Sequence, residues 1–490
     1  MSTYYRFRSA ERLLGREASK DSPRRAGELD ELTIYFASPE ELNDPLEGHR
    51  ETYFEGDIIV WRNLIKHYTL LLFSSAINVF SSGGDGAITH VNIRPEDFSE
   101  APREALDKIV KAIFSCQPIT TYIESLASTK RKVSRSELSV HFATLHNTIL
   151  GFVLEEISRH MDVPGASNLK RIPESFLNYI ALRSTEIKAE GINPDPELYQ
   201  ELKSKIKQQM LRANAARTES LSTGLLQISM NFPDAFCRSI DYLIYPHWYV
   251  ACFMKSCSNS AIWGSYGDNH KGMCLVFKSK EYRGSDCLTL HQLPFSFVKN
   301  YNWGRPKDQW HLIMPIQLPL MQVQYKPAYT KPNFFTSLLT EHKDWALSYW
   351  YSSEDNEVSS CAAWMNEKPS EILPKYRQQF QQSLSTKTAH WENEVESRIV
   401  LSGELLQSEH RTAKFSFSEL EGLIFGINTP DDIKVKVIQK IAKHCSEKRR
   451  SDFKFYQAKF NDNYSEIKYD LLNYIRFNAD GTLDLNPALD

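Results

Sequence analysis

At 490 residues, with 41% hydrophobic and 24% charged side chains and a formal net charge of -3, the chain has the composition of a folded globular protein. That charge balance excludes a strong global field drawing it to nucleic acid or an anionic membrane, and its length suggests about three units of roughly 150 residues. The most apolar run, Tyr68 to Phe80, contains Ser74, Ser75 and Asn78 and is too short for a membrane span, so it reads as a buried helix. Met1 to Arg8 leads into a polar stretch without an apolar h-region, so the expected location is the cytoplasm, with no membrane partner. Eight cysteines form no C-x-x-C pair, and the spacing of Cys252 and Cys257 to His247 matches no zinc pattern, so reduced structural thiols and no metal are expected. The short basic runs Lys130-Arg131-Lys132 and Lys448-Arg449-Arg450 identify no partner.

In chain order, Tyr4 to Arg8 alternates, with Tyr5 and Phe7 on one face and Arg6 and Arg8 on the other, the pattern of a half-buried strand. A helix follows near Ala10, and a second strand, Leu32 to Ala37, ends in Ser38-Pro39 and then the turn Asn43-Asp44-Pro45. Residues 96–235 change texture: Ser99 can cap a helix whose stripe is Leu106, Ile109, Val110, Ile113 and Phe114. Helical periodicity continues through Leu138 to Met161, Phe176 to Ile187 and Leu198 to Met230. After Pro233 strands return at His247 to Met254, Met273 to Phe277, Arg398 to Leu401 and Leu423 to Ile427, with a helix from about Thr429 to His444. Asn461 to Tyr464 and the last ten residues read as loop and tail. The fold class expected is α+β, a small mixed or antiparallel sheet core interrupted by an all-helical insertion, with 1–95 and 236–490 as the two parts of the core and 96–235 as the insertion.

Four constellations can carry chemistry. On the first strand, Arg6 and Arg8 present two guanidiniums suited to a carboxylate or diphosphate, or form a solvated outer face. In the turn region Asn43, Asp44 or Glu47 stands at a pocket rim, unless the turn is purely structural. Trp263 and Tyr266, three apart, share a helical face and can stack on a planar ring or serve the core, while Gly264, Gly267 and Gly272 permit close backbone approach without forming a dinucleotide fingerprint. In Trp391 to Leu401, an extended chain would project Glu394, Glu396 and Arg398 from one face, with Val395 toward the core. Neighbouring carboxylates shift each other's proton affinity, and a guanidinium can hold one ionised.

Taken together, Tyr5 to Arg8, Ile34 to Glu47, Cys252 to Phe277, Val323-Gln324-Tyr325, Trp391 to Arg398 and Leu423 to Gly426 resemble the bacterial family called domain of unknown function 2971. The helical stretch is not part of the resemblance. The order of features is also similar to the ADP-ribosyltransferase fold. That similarity implies that Arg6 or Arg8 holds the diphosphate or ribose of NAD, with Asn43 nearby, and that Tyr266 and Trp263 pack on the ligand's ring. It implies Glu396 as the catalytic carboxylate and Glu394 as the first member of a Glu-x-Glu pair. The Ser-Thr-Ser element of arginine-modifying transferases is not evident, which leaves the acceptor open, protein or nucleic acid. The expected activity is NAD-dependent ADP-ribosyl transfer or NAD hydrolysis, with NAD as substrate, in a toxin or anti-phage defence effector whose helical insertion meets a regulatory partner. The alternatives are a non-catalytic sensor module binding a protein or ligand, and a magnesium-dependent nuclease.

Overall fold

The alternation at Tyr4 to Arg8 becomes strand β1 (Thr3–Arg8) at the centre of a large sheet in the computed structural model. The structure describes residues 2–16, 25–44, 46–48, 50–88, 90–160, 174–189, 196–215, 222–294, 311–312, 314–325, 331–338, 343–403, 406, 410–461 and 466–485. Pro45 of the expected turn, Met161 and residues 216–221 of the expected helices, 462–464 of the expected loop and the last five residues of the tail lie outside the described residues. The chain is mixed α+β with a curled, mostly antiparallel sheet and many helices, and it divides into two compact units. The first comprises Met1–His49, His247–Tyr329 and Gln381–Asp490, and the second Arg50–Pro246 and Thr330–Phe380.

In the first unit the strands in chain order are β1, β2 (Thr33–Tyr35), β3 (His247–Met254), β4 (Met273–Lys278), β5 (Lys280–Tyr282), β6 (Ser285–His291), β7 (Ile316–Pro319), β8 (Met321–Gln322), β9 (Glu396–Gly403), β10 (Thr412–Phe415), β11 (Leu420–Phe425), β12 (Lys454–Asn461) and β13 (Glu466–Leu471). Eight of them form one sheet in the order β8-β9-β3-β1-β4-β11-β12-β13. Its parallel pair, β11 and β12, is joined by the helix Asp431–Lys448, as a parallel connection requires. The fragments at Tyr4–Arg8, Cys252–Phe253 and Glu396–Leu401 are therefore neighbours in one sheet. A second sheet, β7-β6-β10-β2 with β5 on β6, packs on one face of the first. Phe253, Phe277 and Phe415 meet edge to face there, at 5.6 and 5.1 Å between centroids. The other face is covered by a short helix, α2 (Ser260–Tyr266), which follows α1 (Ala10–Leu14) in chain order and precedes α3 (Asp431–Lys448).

The second unit is built around the helix Ile58–Ser82, started by the Asp57 side chain, which accepts from the Ile59 and Val60 N–H groups, and ended by Gly83 at φ 65°. This helix contains the apolar run Tyr68 to Phe80. A helix apolar on every side has to be surrounded, and helices such as Gln117–Ser128 and Arg135–Ile157 share its core. For that reason residues 50–95, placed by the sequence with the sheet, belong with the helices, as do Thr330–Phe380. Among the described residues no helix is long and apolar enough to cross a membrane.

Candidate functional site

A break in the large sheet makes the site. β1 pairs with β4 along all six of its residues, from Thr3↔Lys278 to Arg8↔Met273, but with β3 only at Tyr5↔Met254. Beyond that point β1 and β3 part, and the open edge of β3 must find other partners. Ala37, just past β2, takes one position by exchanging backbone hydrogen bonds of 2.9 and 2.8 Å with Val250. Arg6 takes another: its Nη1 donates to the Cys252 carbonyl at 3.0 Å and its Nη2 to the Tyr35 carbonyl at 3.0 Å. A cavity of about 890 Å³ opens in this gap.

Arg6 is 2% exposed, lies over the Phe253 ring at 5.2 Å, and bonds only neutral carbonyls, leaving its Nε without a partner. Among the described residues it has no carboxylate partner, so it is a buried cation whose counter-charge is missing. Arg8 also lines the cavity, but its Nε is held by both Glu28 oxygens at 3.1 and 2.9 Å and its Nη1 donates to the Phe7 carbonyl. Arg12, Arg25 and the exposed Asn43 stand at the rim.

On the β3–β9 side the wall is a carboxylate cluster. Glu396 opens β9, and its two oxygens accept from Arg398 Nε at 2.7 Å and Nη2 at 3.1 Å. Arg398 also forks onto Glu47 at 2.7 and 2.8 Å and donates to the Leu384 carbonyl at 2.9 Å, so all five of its N–H groups are used. Lys387 is delivered by the two-residue strand Thr386–Lys387, which runs parallel to Gln324–Tyr325. Its Nζ lies 2.8 Å from both Glu394 and Glu396 and 3.6 Å from Glu47. Tyr266 donates to Glu394 at 2.5 Å, and the Tyr325 hydroxyl accepts the Glu396 N–H at 2.8 Å.

These contacts set the charges. Burial alone would raise the proton affinity of Glu396, but Arg398 and then Lys387 outweigh it and hold its pKa at about 2. For Lys387 burial opposes the charge, yet Glu396, Glu394 and Glu47 push its pKa up. Burial, and next the negative charge of Glu394, keep the Tyr266 phenol protonated. The Cys252 thiol, beside Glu396, is raised well above its usual value by burial and then by that carboxylate, so it is no nucleophile. Three carboxylates, Glu47, Glu394 and Glu396, face two cations, Lys387 and Arg398, leaving one formal negative charge in excess. Glu396, Lys387 and Tyr266 carry that cluster to the cavity surface.

No match was found among protein-family models, curated proteins or solved structures. The geometry alone therefore sorts the candidate residues. Arg6, Arg8, Asn43, Tyr266 and Glu396 come together on the cavity. Glu394 stands behind its wall, bonded to Tyr266 and Lys387. Trp263 does not reach it: at 1% exposure it donates to the Cys257 carbonyl and meets Phe7 edge to face at 4.9 Å. Gly267 and Gly272 serve the protein's own backbone, since a Cβ would fall 2.7 Å from the Trp263 and 2.4 Å from the Arg8 carbonyl oxygen, while a Cβ at Gly264 would meet nothing within 4 Å. Glu394 also lies outside the strand expected to carry it. It ends a 3₁₀ turn, and Val395, at φ 44° and 41% exposed, turns the chain into β9 instead of facing the core. Lys387 was missed because nothing in Ser385-Thr386-Lys387-Thr388 marks it; its role comes from partners distant in the chain.

Proposed function

We propose that the first unit cleaves the nicotinamide–ribose bond of NAD, as an ADP-ribosyltransferase or NAD glycohydrolase, on an ADP-ribosyltransferase-like core of the type suggested by its resemblance to domain of unknown function 2971. The observation that carries this reading is the polarity of the cavity. The β1 side offers Arg6 with an unpartnered Nε and Arg12, with Arg8 and Glu41 neutralised by Glu28 and Arg411, while the β3–β9 side offers a cluster with one negative charge in excess and the Tyr266 ring, and Asp268 adds a further carboxylate to the lining. NAD has the complementary dipole, an anionic diphosphate and a cationic nicotinamide.

In the cleavage, the C–N bond breaks with its electron pair leaving on nicotinamide, and positive charge develops on the ribose. Glu396, ionised at every physiological pH, offsets that charge as a fixed carboxylate and not as a proton carrier. Water or an acceptor nucleophile then bonds to the ribose carbon and releases its proton, for which Glu394, bonded to Tyr266 and Lys387 behind the wall, is the carboxylate that the Glu-x-Glu pattern offers. Such turnover suits a toxin or anti-phage effector, through loss of NAD or modification of a target. Nicotinamide release by the purified chain tests the proposal; Glu396→Gln, which keeps the shape and removes the charge, should lower it at least about 100-fold.

One observation favours a second reading, a binding module. Both Glu396 oxygens are already engaged by Arg398 and Lys387, so a ribose hydroxyl has to displace a cation to reach them. Calorimetric NAD binding without nicotinamide release, in the presence of cell lysate as trigger, would select that reading. The nuclease alternative needs carboxylates open to a metal, and those of this cluster are engaged by cations.

A further inference from the structure

A second cavity of about 890 Å³ lies in the same unit, lined by His291, Lys414, Ser416, Ser418, Lys448 and Arg449 among others. The basic run Lys448-Arg449-Arg450 thus has a definite place. Its members differ in role. Arg450 is structural: it donates to the Phe417 and Leu420 carbonyls, pairs with Asp452 at 2.6 Å, and lies over the rings of Phe417 and Phe453. Asp452 is thereby neutralised, and Glu31 is the remaining acidic residue of the lining. Lys414, Lys448 and Arg449 make no ion pair within 4.0 Å among the described residues.

Helix capping does not account for these cations. The end of α3 is closed by the chain itself, Arg449 N–H donating to the Ser446 carbonyl at 3.2 Å and Arg450 N–H to the Cys445 carbonyl at 2.8 Å. The cavity also collects backbone strain: Leu32, Gln292 and Arg449 line it with φ of 55°, 53° and 51°. Leu32 and Arg449 end helices, where the left-handed conformation is common, but Gln292 sits between two strands, where that conformation is strained.

We infer that this cavity binds phosphate groups, those of a free nucleotide or of a nucleic-acid strand. Two lysines supply point charges, Arg449 a planar fork, and the Ser416–Ser418 hydroxyl pair, 2.8 Å apart, keeps one O–H free to donate outward. The near-neutral net charge of the chain is no obstacle, because phosphate contacts are made by a local patch. The two cavities are also linked. Thr412 lines the first and Lys414 the second, and being two residues apart on β10 they share a face about 7 Å apart. A strand held by Lys414 can therefore continue along β10 toward Glu396. The inference stands whether or not the first cavity uses NAD.

The test uses the full chain with two probes, a fluorescein-labelled single-stranded deoxyoligonucleotide and ATP as competitor. The variant Lys414→Ala/Arg449→Ala removes two side chains with exposed or half-exposed positions, and circular dichroism checks that it folds. Oligonucleotide binding at low salt should weaken at least about ten-fold, and the log–log salt slope should fall by about 1.4, because two phosphates of the single strand are no longer neutralised. The control Lys459→Ala/Lys468→Ala, exposed cations on β12 and β13, should leave binding unchanged. Competition by ATP identifies the phosphate group itself as the recognised unit, and its absence identifies the strand; both fit the inference. Failure of both probes to bind, undiminished binding by the variant, or equal weakening in the control would overturn it.

Discussion

Glu47 and Arg398, 351 positions apart in the chain, meet through two parallel N–H···O bonds of 2.7 and 2.8 Å with both side chains at 0% exposure. The pair fastens the segment after β2 to β9. Burying it costs desolvation on both sides, so its net contribution is smaller than its geometry suggests, but removing one partner strands the other. Arg398→Ala should lower stability by about 3–5 kcal/mol in urea unfolding, because three carboxylates are then left with Lys387 alone. Arg398→Lys should recover little, since an ammonium cannot reproduce the five-donor fork. A loss below about 1 kcal/mol for Arg398→Ala would mean water replaces the guanidinium without difficulty.

Val395 predicts the opposite sign. It is β-branched, sits at φ 44° and is 41% exposed, so its conformation is strained while its side chain adds little to packing. Val395→Asn, which tolerates the left-handed region, should raise the thermal midpoint and leave the Glu394–Lys387 contact intact. A midpoint that falls would show that the valine side chain packs more than its exposure indicates.

What the sequence revealed depended on whether a feature was local. The alternation of Tyr4 to Arg8 placed β1, and the apolar run at Arg398 to Leu401 placed a strand there, whose start the structure puts at Glu396. The face shared by Trp263 and Tyr266 was also local, but periodicity does not say which way a helix turns. Phe7 fills the space beside Trp263, leaving Tyr266 alone at the cavity. The extended geometry assumed for Glu394 failed at one residue, Val395, whose type argues against the turn it makes. Lys387 and Glu47 owe their roles to long-range pairing, which no spacing discloses. The run Tyr68 to Phe80 reads as a buried helix, but burial does not name the partner, and the helix that contains it belongs to the second unit.

Lys387 can be tested through pH. The pKa of Glu396 is depressed to about 2, from an ordinary 4.5, so its contribution to stability is present above 4.5 and is lost as pH falls toward 2. Lys387→Met removes one of the two cations responsible, and the folded-state pKa should move upward. The stabilisation then shrinks, and acid unfolding followed by circular dichroism should begin at higher pH than in the wild type. Coincident acid transitions would mean Arg398 alone sets the charge state.

The second unit should lose stability over a different pH window. His67 and His146 are fully buried in its core, and burial depresses both to about 4, from an ordinary 6.5. Desolvation holds each neutral against its contacts: His67 lies 2.9 Å from the Val91 carbonyl, which favours the protonated ring, and 3.2 Å from the Tyr349 hydroxyl, and His146 lies 2.7 Å from the Tyr68 hydroxyl. Because the folded pKa is below the unfolded one, the unfolded chain takes up protons first. Their contribution is therefore intact above pH 6.5 and disappears as pH falls from 6.5 to about 4, by at most about 3 kcal/mol per histidine. Carboxylates such as Glu396 lose their share only below 4.5, so the two effects separate on the pH axis. Urea midpoints at pH 7, 5.5 and 4.5 should fall in the wild type. His146→Phe, which deprives the Tyr68 hydroxyl of its partner, should start less stable at pH 7 yet fall less between 7 and 4.5. Parallel declines in the two proteins would show that His146 does not remain neutral in the folded state.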